Sequence, residues 1–420
     1  MKLKDYTIIM SYKIQIYPNT KQAKIIRDTC DACKFVYNRY LNDRNKYYEE
    51  TKKTLKWRDY RKVIKDLRKR DEYKWLKDNI SKHALDESLH NVNRAFERFF
   101  EGVCDFPDYK RKKDKVRSYY IDNENVYYNG NKIHLPIIGD VRISEKNYIP
   151  RDSSSYIGGC IIYEHTVDKY YLVIRAYSNK YDYKYSYNLS ESYGNYGVDV
   201  GINTYAYISN KEGESFPIGK DLVKSPYITK LENRIDILNN IKSNKMEINK
   251  KKGVGDKNGW SNNCLKIQMK INKTYKKKSD YMTNYINQLV TDLVKAKLES
   301  ITIESLDIMG LLTLTGNKSK KEYSKHEKTL HKHIQSSKFR YFYNQLIWKA
   351  SMTDGLEIRQ IDRFDASTQK CAICGHKHKI PLSTRVYVCD NSKCKMYAFP
   401  VERDYNSAWY LANCKDYVIL

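Results

Sequence analysis

Four cysteines near the C-terminal end constrain the fold of this chain more than any other feature. They form a C-x₂-C pair and then a C-x₄-C pair: Cys371, Cys374, Cys389 and Cys394. Thiolates with this spacing close a tetrahedral Zn²⁺ site, and four protein ligands make such a site structural because no coordination position stays open. We therefore predict a small zinc module over residues 369–398. His376 and His378 are further potential ligands, but four cysteines already complete the coordination.

An acidic residue follows the cysteines, and it has two counterparts upstream. Asp404 belongs to the run Arg-Asp-Tyr-Asn, Asp199 lies in an apolar stretch, and Glu304 follows the apolar run Ile301-Thr-Ile. An acid in an apolar strand is costly unless a cation or a donor compensates it. Three carboxylates on separate elements can hold two divalent cations against a phosphodiester. The set Asp199, Glu304 and Asp404 therefore predicts a nuclease with two Mg²⁺ ions, which prefer oxygen ligands.

Three other acids compete for these roles. Asp307 is an alternative to Glu304, and Asp362 or Asp365 is an alternative to Asp404. Glu304 is preferred because Asp307 falls beyond the expected strand, where solvent would surround it. Acids near strand ends are often simply solvated or paired with lysine, so each residue gains its significance from the set.

The charge of the chain predicts a polyanionic partner. The 420 residues include 77 Lys and Arg against 50 Asp and Glu, which gives a net charge of +27. Such an excess favours nucleic acid through counterion release. Two basic runs are the predicted contacts: Lys110, Arg111, Lys112 and Lys113, and Lys276, Lys277 and Lys278. A single basic run is most often a solvated face, so this prediction depends on the total charge.

The sequence predicts no association with membranes. No apolar run approaches the ~20 residues that span a bilayer, and the first residues lack the apolar core of a signal peptide. We expect an intracellular protein, in the nucleus if its origin is eukaryotic or viral and otherwise in the cytoplasm. Disulfides are uncommon there. Cys30 and Cys33, on the apolar stripe of a predicted helix, are therefore expected to be core residues.

The hydrophobic period changes twice in the first half of the chain. Residues 11–17 alternate as a strand does, and Asn19 or Thr20 is expected to cap a helix. Helices are then predicted up to about Gly102, including one over 56–78. From about 115 to 185 the period is two, with turns at Asn129-Gly130, Gly139-Asp140 and 167–169. This pattern predicts a helical unit inserted into a small β-barrel.

The second half reads as hairpin strands followed by helix–strand units. The predicted elements are a strand over Tyr196–Ser209, a return strand over 215–218, Lys-rich helices broken near 253–261, a strand over Ile301–Leu306, a loop over 316–338, a helix over 338–352, a strand over 356–361, and a last helix from about 404. Together they describe an α/β sheet of the RNase H type.

Taken in order, these motifs resemble the transposon-encoded TnpB proteins and their eukaryotic and viral relatives, the Fanzor nucleases, which are related to type V CRISPR effectors. The N-terminal matches are residues 17–22, 35–38, 106–110 and 135–139. Gly197–Gly201, Ile303–Leu306 and Arg403–Ala408 resemble the three RuvC motifs, and Cys371–Gly375 stands where the family has its zinc ribbon. The resemblance spans nearly the whole chain.

The resemblance implies an RNase H-like RuvC nuclease domain with an inserted zinc ribbon, and an N-terminal oligonucleotide-binding-like β-barrel, the wedge, that carries a helical recognition insertion. The implied segments are 1–19 for the first wedge strand, 20–104 for the recognition lobe, 105–192 for the rest of the wedge, 193–368 for the nuclease domain, 369–398 for the zinc ribbon and 399–420 for the final RuvC segment. The polar segment 316–338 would be a lid over the active site.

The resemblance also implies an RNA-guided DNA endonuclease. A guide RNA would pair with the target strand, and the protein would read a short motif beside the target. The catalytic residues would be Asp199, Glu304 and Asp404, which would hold two Mg²⁺ ions and cut both strands of double-stranded DNA. The four cysteines would hold one Zn²⁺.

Two departures from the family pattern favour a Fanzor-like viral or eukaryotic member. The C-x₄-C pair is wider than in the usual bacterial ribbon, and residues 278–284 lack the histidine commonly seen there. The 40 tyrosines fit an AT-rich genome.

Two other functions remain open. A catalytically silent RNA-guided DNA-binding protein, acting as a repressor or transposition accessory, would be indicated by a lost acid, and none is lost. A DNA-strand-transferring transposase would need a separate end-binding domain, and no helix-turn-helix is apparent.

Overall fold

The chain divides into two compact units, Met1–Lys180 and Tyr181–Leu420. The computed structural model describes residues 8–111, 114–178, 194–223, 225–307, 324–381 and 384–420. Both units combine helices with strands, so the mixed α/β content expected from the sequence is confirmed. Within the described segments, none of the helices has the length and apolar character that crossing a bilayer requires.

The first unit contains an antiparallel sheet of seven strands in the order β2-β6-β7-β1-β5-β4-β3. The strands are β1 Ile8–Tyr17, β2 Arg117–Ile121, β3 Tyr127–Asn129, β4 Lys132–Leu135, β5 Gly139–Ile143, β6 Tyr156–Glu164 and β7 Lys169–Ser178. β1 is central, because it pairs along most of its length with β7 and through Ile16 and Tyr17 with β5. β2 and β3 lie at the two ends of the described ladder, so closure into a barrel stays a prediction.

Three helices lie between β1 and β2 in the chain: α1 Thr20–Thr51, α2 Trp57–Leu67 and α3 Lys82–Phe100. α1 begins with a capping box in which the side chains of Asn19 and Gln22 each accept the other's backbone N–H. Its apolar stripe is buried as predicted, including Cys30 and Cys33. These two cysteines are therefore core residues.

Two predictions for the first unit are wrong in extent. The helix expected over 56–78 ends at Leu67, and a 3₁₀ turn over Asp71–Leu76 follows it. Residues 68–72 are all charged, so a helix continued through them would present no apolar side chain to the core. Gly139 does not mark a turn but begins β5; the turn precedes it, where Ile137 has a φ of 70°. The Asn129-Gly130 hairpin is confirmed.

The second unit is built on a six-stranded mixed sheet in the order β10-β9-β8-β11-β12-β15. The strands are β8 Asn195–Val200, β9 Ala206–Asn210, β10 Ser215–Ile218, β11 Ser300–Ile303, β12 Glu357–Gln360 and β15 Val418–Ile419. β8, β11 and β12 run parallel, and the other pairs are antiparallel. The single strand predicted over Tyr196–Ser209 is wrong, because the chain reverses between Gly201 and Tyr205 and places Asp199 opposite Tyr207.

Helices and a small second sheet complete this unit. The helices are α4 Lys220–Val223, α5 Pro226–Lys251, α6 Asn262–Lys295, α7 Lys325–Ser337, α8 Phe339–Ser351 and α9 Arg403–Asn413. β13 Val386–Val388 pairs with β14 Pro400–Glu402. The loop predicted over 316–338 is wrong from Lys325 onward, where α7 lies. Its mostly polar sequence gave no helical period, and Ile334 is the buried residue among the side chains described at 330–337. Residues 316–323, the rest of the predicted lid, lie outside the described residues.

Gly197 allows α9 to lie directly on β8. A Cβ atom at this position would overlap the backbone of both Ala408 and Ala412 on α9. Only a residue without a side chain permits that approach. The start of α9 is thereby brought to the end of β8 that carries Asp199.

Candidate functional site

The three predicted acids come together at one edge of the six-stranded sheet of the second unit. Asp199 is on β8, Glu304 directly follows β11, and Asp404 is the second residue of α9. β8 and β11 are parallel neighbours with Ile303 opposite Val198, so the next residues, Glu304 and Asp199, reach the same level. Asp404 approaches them from α9. Its Oδ2 atom lies 3.8 Å from the position that a Cβ atom on Gly201 would take, and Gly201 is only two residues beyond Asp199.

These carboxylates influence one another's ionisation. Burial is the main cause that raises the pKa of Asp199 well above its usual range, and the charges of Glu304 and Asp404 raise it further. Burial also raises the pKa of Glu304, the hydrogen bond from Ser367 opposes this, and the charges of Asp365 and Asp404 add to it. Clustered acids with raised pKa values are a common mark of functional sites. Their hard oxygen atoms are a donor set that fits Mg²⁺.

Two buried serines connect the acids. Ser367 Oγ donates a hydrogen bond to Glu304 Oε1, and Ser407 Oγ donates one to Ser367 Oγ over 2.9 Å. Ser407 also hydrogen-bonds with Asp199. Ser367 and Ser407 are 1% and 0% exposed. Sequence reasoning missed both, although Ser407 belongs to the motif that contains Asp404.

Two arginines contact Asp404. Arg403 places Nε and Nη2 at 3.0 and 2.8 Å from Oδ1, and Arg385 places Nη1 at 3.4 Å from Oδ2. Arg385 lies between the two cysteine pairs, and half of its side chain is exposed. Sequence reasoning also missed Arg385, since nothing in the sequence distinguishes it from the many other basic residues.

The alternative acids have partners of their own. Asp307 pairs with Arg363. Asp365 lies 2.7 Å from Lys370 Nζ and accepts a hydrogen bond from the hydroxyl of Tyr410 over 3.0 Å. Asp362 accepts the backbone N–H of Phe364 over 2.8 Å. Glu304 and Asp404 are favoured over these alternatives because they are the acids whose charges raise the pKa of Asp199.

The four predicted zinc ligands form one cluster. Their Sγ atoms, from Cys371, Cys374, Cys389 and Cys394, all lie within 4.8 Å of one another. Sγ–Sγ distances are 3.7 Å for Cys371–Cys394 and 3.8 Å for Cys374–Cys389. Tetrahedral Zn–S bonds of ~2.3 Å require sulfurs about 3.8 Å apart. The cluster therefore has the dimensions of a zinc site despite its wide second pair.

Neither nearby histidine joins the cysteines. His376 Nε2 and His378 Nδ1 lie 2.9 and 2.8 Å from the carboxylate of Asp390. Among the described residues, the group that could hold a metal ion consists of the four cysteines and includes neither ring.

Asn406 fastens the cysteine module to α9. Its Oδ1 accepts the backbone N–H of Ala372 over 3.0 Å, and its Nδ2 donates to the carbonyl of Lys370 over 2.7 Å. The side chain is fully buried. The position of the first cysteine pair is therefore tied to the helix that carries Asp404.

The basic residues predicted near the helical unit are placed differently from one another. Lys110 turns inward, with Nζ 4.3 Å from the ring centroid of Tyr37, and burial lowers its pKa. Arg111 pairs with Asp108 over 2.6 Å. Lys112 and Lys113 lie outside the described residues. These positions leave the proposed phosphate contact at Lys110 and Arg111 a prediction.

The second basic run lies on α6, and its three lysines point in different directions. Lys278 is buried and pairs with Glu232 over 2.6 Å, so its assignment as a nucleic-acid contact is wrong. Lys276 lies 3.1 Å from Asp280. Lys277 is exposed and lines a groove between α5 and α6 with four further basic residues: Lys230, Arg234, Lys270 and Lys273. Helical spacing, rather than adjacency in sequence, defines this basic surface.

Two family models match separate parts of the chain. One, described as a helix-turn-helix domain, covers residues 8–53, and one described as Cas12f1-like, TNB domain covers residues 339–411. Two curated relatives share the name "Putative RNA-guided DNA endonuclease". InsQ of Escherichia coli K12 is 22% identical over 95% of this chain and 90% of its own length. The Streptomyces pristinaespiralis protein is 23% identical over 90% of this chain and 84% of its own length.

The chain is similar to TnpB-family proteins. Among solved structures, this chain is similar to Cas12f1 in a complex with sgRNA and target DNA, with a TM-score of 0.46 and 13% identity over 97% of this chain and 99% of that one. A CRISPR–Cas12f ternary complex gives a TM-score of 0.34 and 13% identity over 94% and 82% of the two chains.

The first family model runs against one sequence-based expectation. No helix-turn-helix was apparent in the sequence, yet the model described as a helix-turn-helix domain matches residues 8–53. Over these residues the structure has one strand, β1, and one helix, α1. The preference for a Fanzor-like member stays a prediction, because both relatives named above are bacterial.

Proposed function

We propose that this protein is an RNA-guided DNA endonuclease that cuts double-stranded DNA beside a short adjacent motif. The observation that carries the proposal is the convergence of Asp199, Glu304 and Asp404 at one sheet edge, where shared negative charge and burial raise the pKa values of Asp199 and Glu304. The names of the relatives, the net charge of +27 and the basic groove on α5 and α6 support nucleic acid as the partner.

The fold supports a finer assignment of parts. The β8–β10 hairpins followed by parallel β11 and β12 have the order expected of an RNase H-like RuvC domain, and the cysteine cluster would be its zinc ribbon. The seven-stranded sheet would be the wedge, and α1–α3 the recognition lobe inserted after its first strand. A guide RNA bound to the protein would select the target by base pairing.

The acid cluster would hold two Mg²⁺ ions through Asp199, Glu304 and Asp404. When bound, such ions lower the pKa of the attacking water and stabilise the leaving 3′-oxygen. The chain's own residues have the task of holding three carboxylates in place. Ser367 orients Glu304, Ser407 contacts Asp199, and Gly197 sets the separation of β8 from α9.

Arg385 and Arg403 neutralise Asp404 in this structure and would contribute positive charge to the site. Arg403 is largely buried beside Asp404, so it holds the carboxylate from one side. Arg385 is half exposed and has the longer contact, so its guanidinium is the one that a phosphate could draw away from Asp404. We assign Arg385 to substrate charge and Arg403 to the orientation of Asp404.

The test is expression with the native flanking DNA, sequencing of the co-purified RNA, and a Mg²⁺-dependent cleavage assay on DNA that matches the guide. Asp199→Ala, prepared in parallel, is the control. A discrete RNA together with cutting that the variant loses would support the proposal. A discrete RNA without cutting by the wild type would favour the catalytically silent DNA-binding protein. No enriched RNA would overturn the guided mechanism.

A further inference from the structure

Tyr343 of α8 carries a buried hydroxyl whose proton has no hydrogen-bond acceptor. Its side chain is 6% exposed, belongs to the core of the second unit and packs against Phe342. Among the described residues, no group accepts a hydrogen bond from this hydroxyl. Buried polar groups in native proteins are almost always paired, and an exception calls for an explanation.

The surroundings of this hydroxyl are the acid cluster. The charges of Glu304 and Asp199 both act on it, and the backbone N–H of Glu304 lies within hydrogen-bonding reach of its oxygen. A tyrosine hydroxyl keeps its proton at neutral pH, so Tyr343 is a hydrogen-bond donor. An available donor therefore lies next to groups that can only accept when they are ionised.

Glu304 has acceptor capacity for such a donor. A carboxylate offers about four lone-pair sites, and Ser367 occupies one of them. When two cations engage the acids, each carboxylate has to turn one oxygen toward a cation, and a donor behind the other oxygen fixes that orientation.

We propose that Tyr343 is a positioning residue of the metal centre, whose hydroxyl donates a hydrogen bond to the Glu304 carboxylate when divalent cations are bound. This inference depends on the proposed metal centre. Tyr343 acts through Glu304 and does not touch the substrate. Loss of its hydroxyl should therefore lower the affinity for the cation.

Tyr205 offers a matched control in the same core. Its hydroxyl is also buried without a hydrogen bond among the described residues, and its side chain is 1% exposed. Burial raises its pKa, with no contribution from an acid. Tyr205→Phe therefore removes a similar hydroxyl that has no carboxylate to orient.

The experiment is a Mn²⁺ titration followed by electron paramagnetic resonance, on full-length protein with its co-purified nucleic acid. Wild type, Tyr343→Phe, Tyr205→Phe and Asp199→Ala are compared, and the binding that survives in Asp199→Ala is subtracted as binding elsewhere. We expect Tyr343→Phe to weaken the Asp199-dependent site about tenfold, as loss of an outer hydrogen bond to a metal ligand does. Tyr205→Phe should match the wild type.

A thermal melt without added divalent cation separates positioning from folding. Phe fills the same space, so Tyr343→Phe should melt at the wild-type temperature or above it. Equal Mn²⁺ affinity in Tyr343→Phe and wild type would overturn the inference, as would equal weakening in Tyr205→Phe. If Asp199→Ala binds as much Mn²⁺ as the wild type, the proposed metal centre itself is wrong, and the inference falls with it.

Discussion

Asp199 is buried on a strand at 5% exposure, among groups that oppose its ionisation. The unfolded chain ionises this residue at a lower pH than the folded chain does, because the folded pKa is raised. Stability must therefore fall as the pH rises above the ordinary pKa of aspartate, and it stays reduced above the folded pKa. Without cations, the acid cluster is a site where function opposes stability.

We predict that Asp199→Asn stabilises the protein in buffer without added Mg²⁺, by about 1–3 kcal/mol at neutral pH, while cleavage is lost. The free energy of unfolding, measured from about pH 4 to pH 8, should diverge from the wild-type value as the pH rises. Asp236→Asn, at an exposed position on α5, is the control and should change little. A constant difference across this pH range would contradict the raised pKa.

Ser367 is the residue through which the hydroxyl pair acts on Glu304. Ser367→Ala removes the donor to Glu304 and the acceptor for Ser407. We expect the Mg²⁺ concentration for half-maximal cleavage to rise about tenfold, measured with saturating target DNA. Ser155→Ala removes another buried serine, whose Oγ bonds the carbonyl of Asp152 in the first unit, and should leave that concentration unchanged. An unchanged Mg²⁺ concentration for Ser367→Ala would show that Ser367 does not orient Glu304 for metal binding.

At the scale of elements, the cysteine module and α9 form one assembly. Asn406 makes two hydrogen bonds to the backbone at Lys370 and Ala372, and it is two residues from Asp404. Arg385, from the same module, reaches Asp404 as well. The module therefore positions part of the site besides closing its own metal cluster.

We predict that Cys374→Ser lowers both zinc content and cleavage, the latter by at least about tenfold, because the backbone held by Asn406 loses its support. Elemental analysis and the Mg²⁺-dependent assay provide the two measurements. Cys104→Ser, at an exposed cysteine of the first unit, should keep both values. Full cleavage by a zinc-free variant would show that the module is independent of the site.

The sequence predicted the elements with clear periods and special residues, and it failed where tertiary contacts decide. Asp199 and Glu304 were found because an acid inside an apolar strand is conspicuous. Ser367 and Tyr343 gave no such signal, since a buried hydroxyl has the same sequence appearance as a surface one. α7 was missed because Ile334 is the one buried position among its described side chains, at residues 330–337. Lys278 was misassigned because adjacency in sequence concealed that it faces Glu232.

At the scale of the whole molecule, the net charge of +27 can attract nucleic acid only where basic side chains are exposed to solvent. The groove between α5 and α6 collects five exposed basic side chains: Lys230, Arg234, Lys270, Lys273 and Lys277. Their spacing follows two helices, so the surface is continuous although the residues are separated in sequence. Such a track suits a phosphate backbone rather than the edges of bases.

We predict that the double variant Lys273→Ala and Lys277→Ala weakens binding to nucleic acid of any sequence. The slope of log K against log salt should fall by about 2 if each lysine meets one phosphate. Lys278→Met is the contrasting variant: it should lower the melting temperature, because Glu232 loses its partner, and leave the slope unchanged. Equal slopes in the double variant and the wild type would exclude the groove as a contact surface for nucleic acid.

Gly197 limits how this chain can change over evolutionary time. The helix that carries Asp404 rests on the bare backbone at this position, two residues from Asp199. Alanine, the smallest replacement, would already push the two acids apart. A survey of all single substitutions selected for DNA cutting should therefore leave position 197 as invariant as the acids themselves, although glycine has no chemistry of its own. Drift can alter the surface lysines one at a time, but this strand and this helix can only change together.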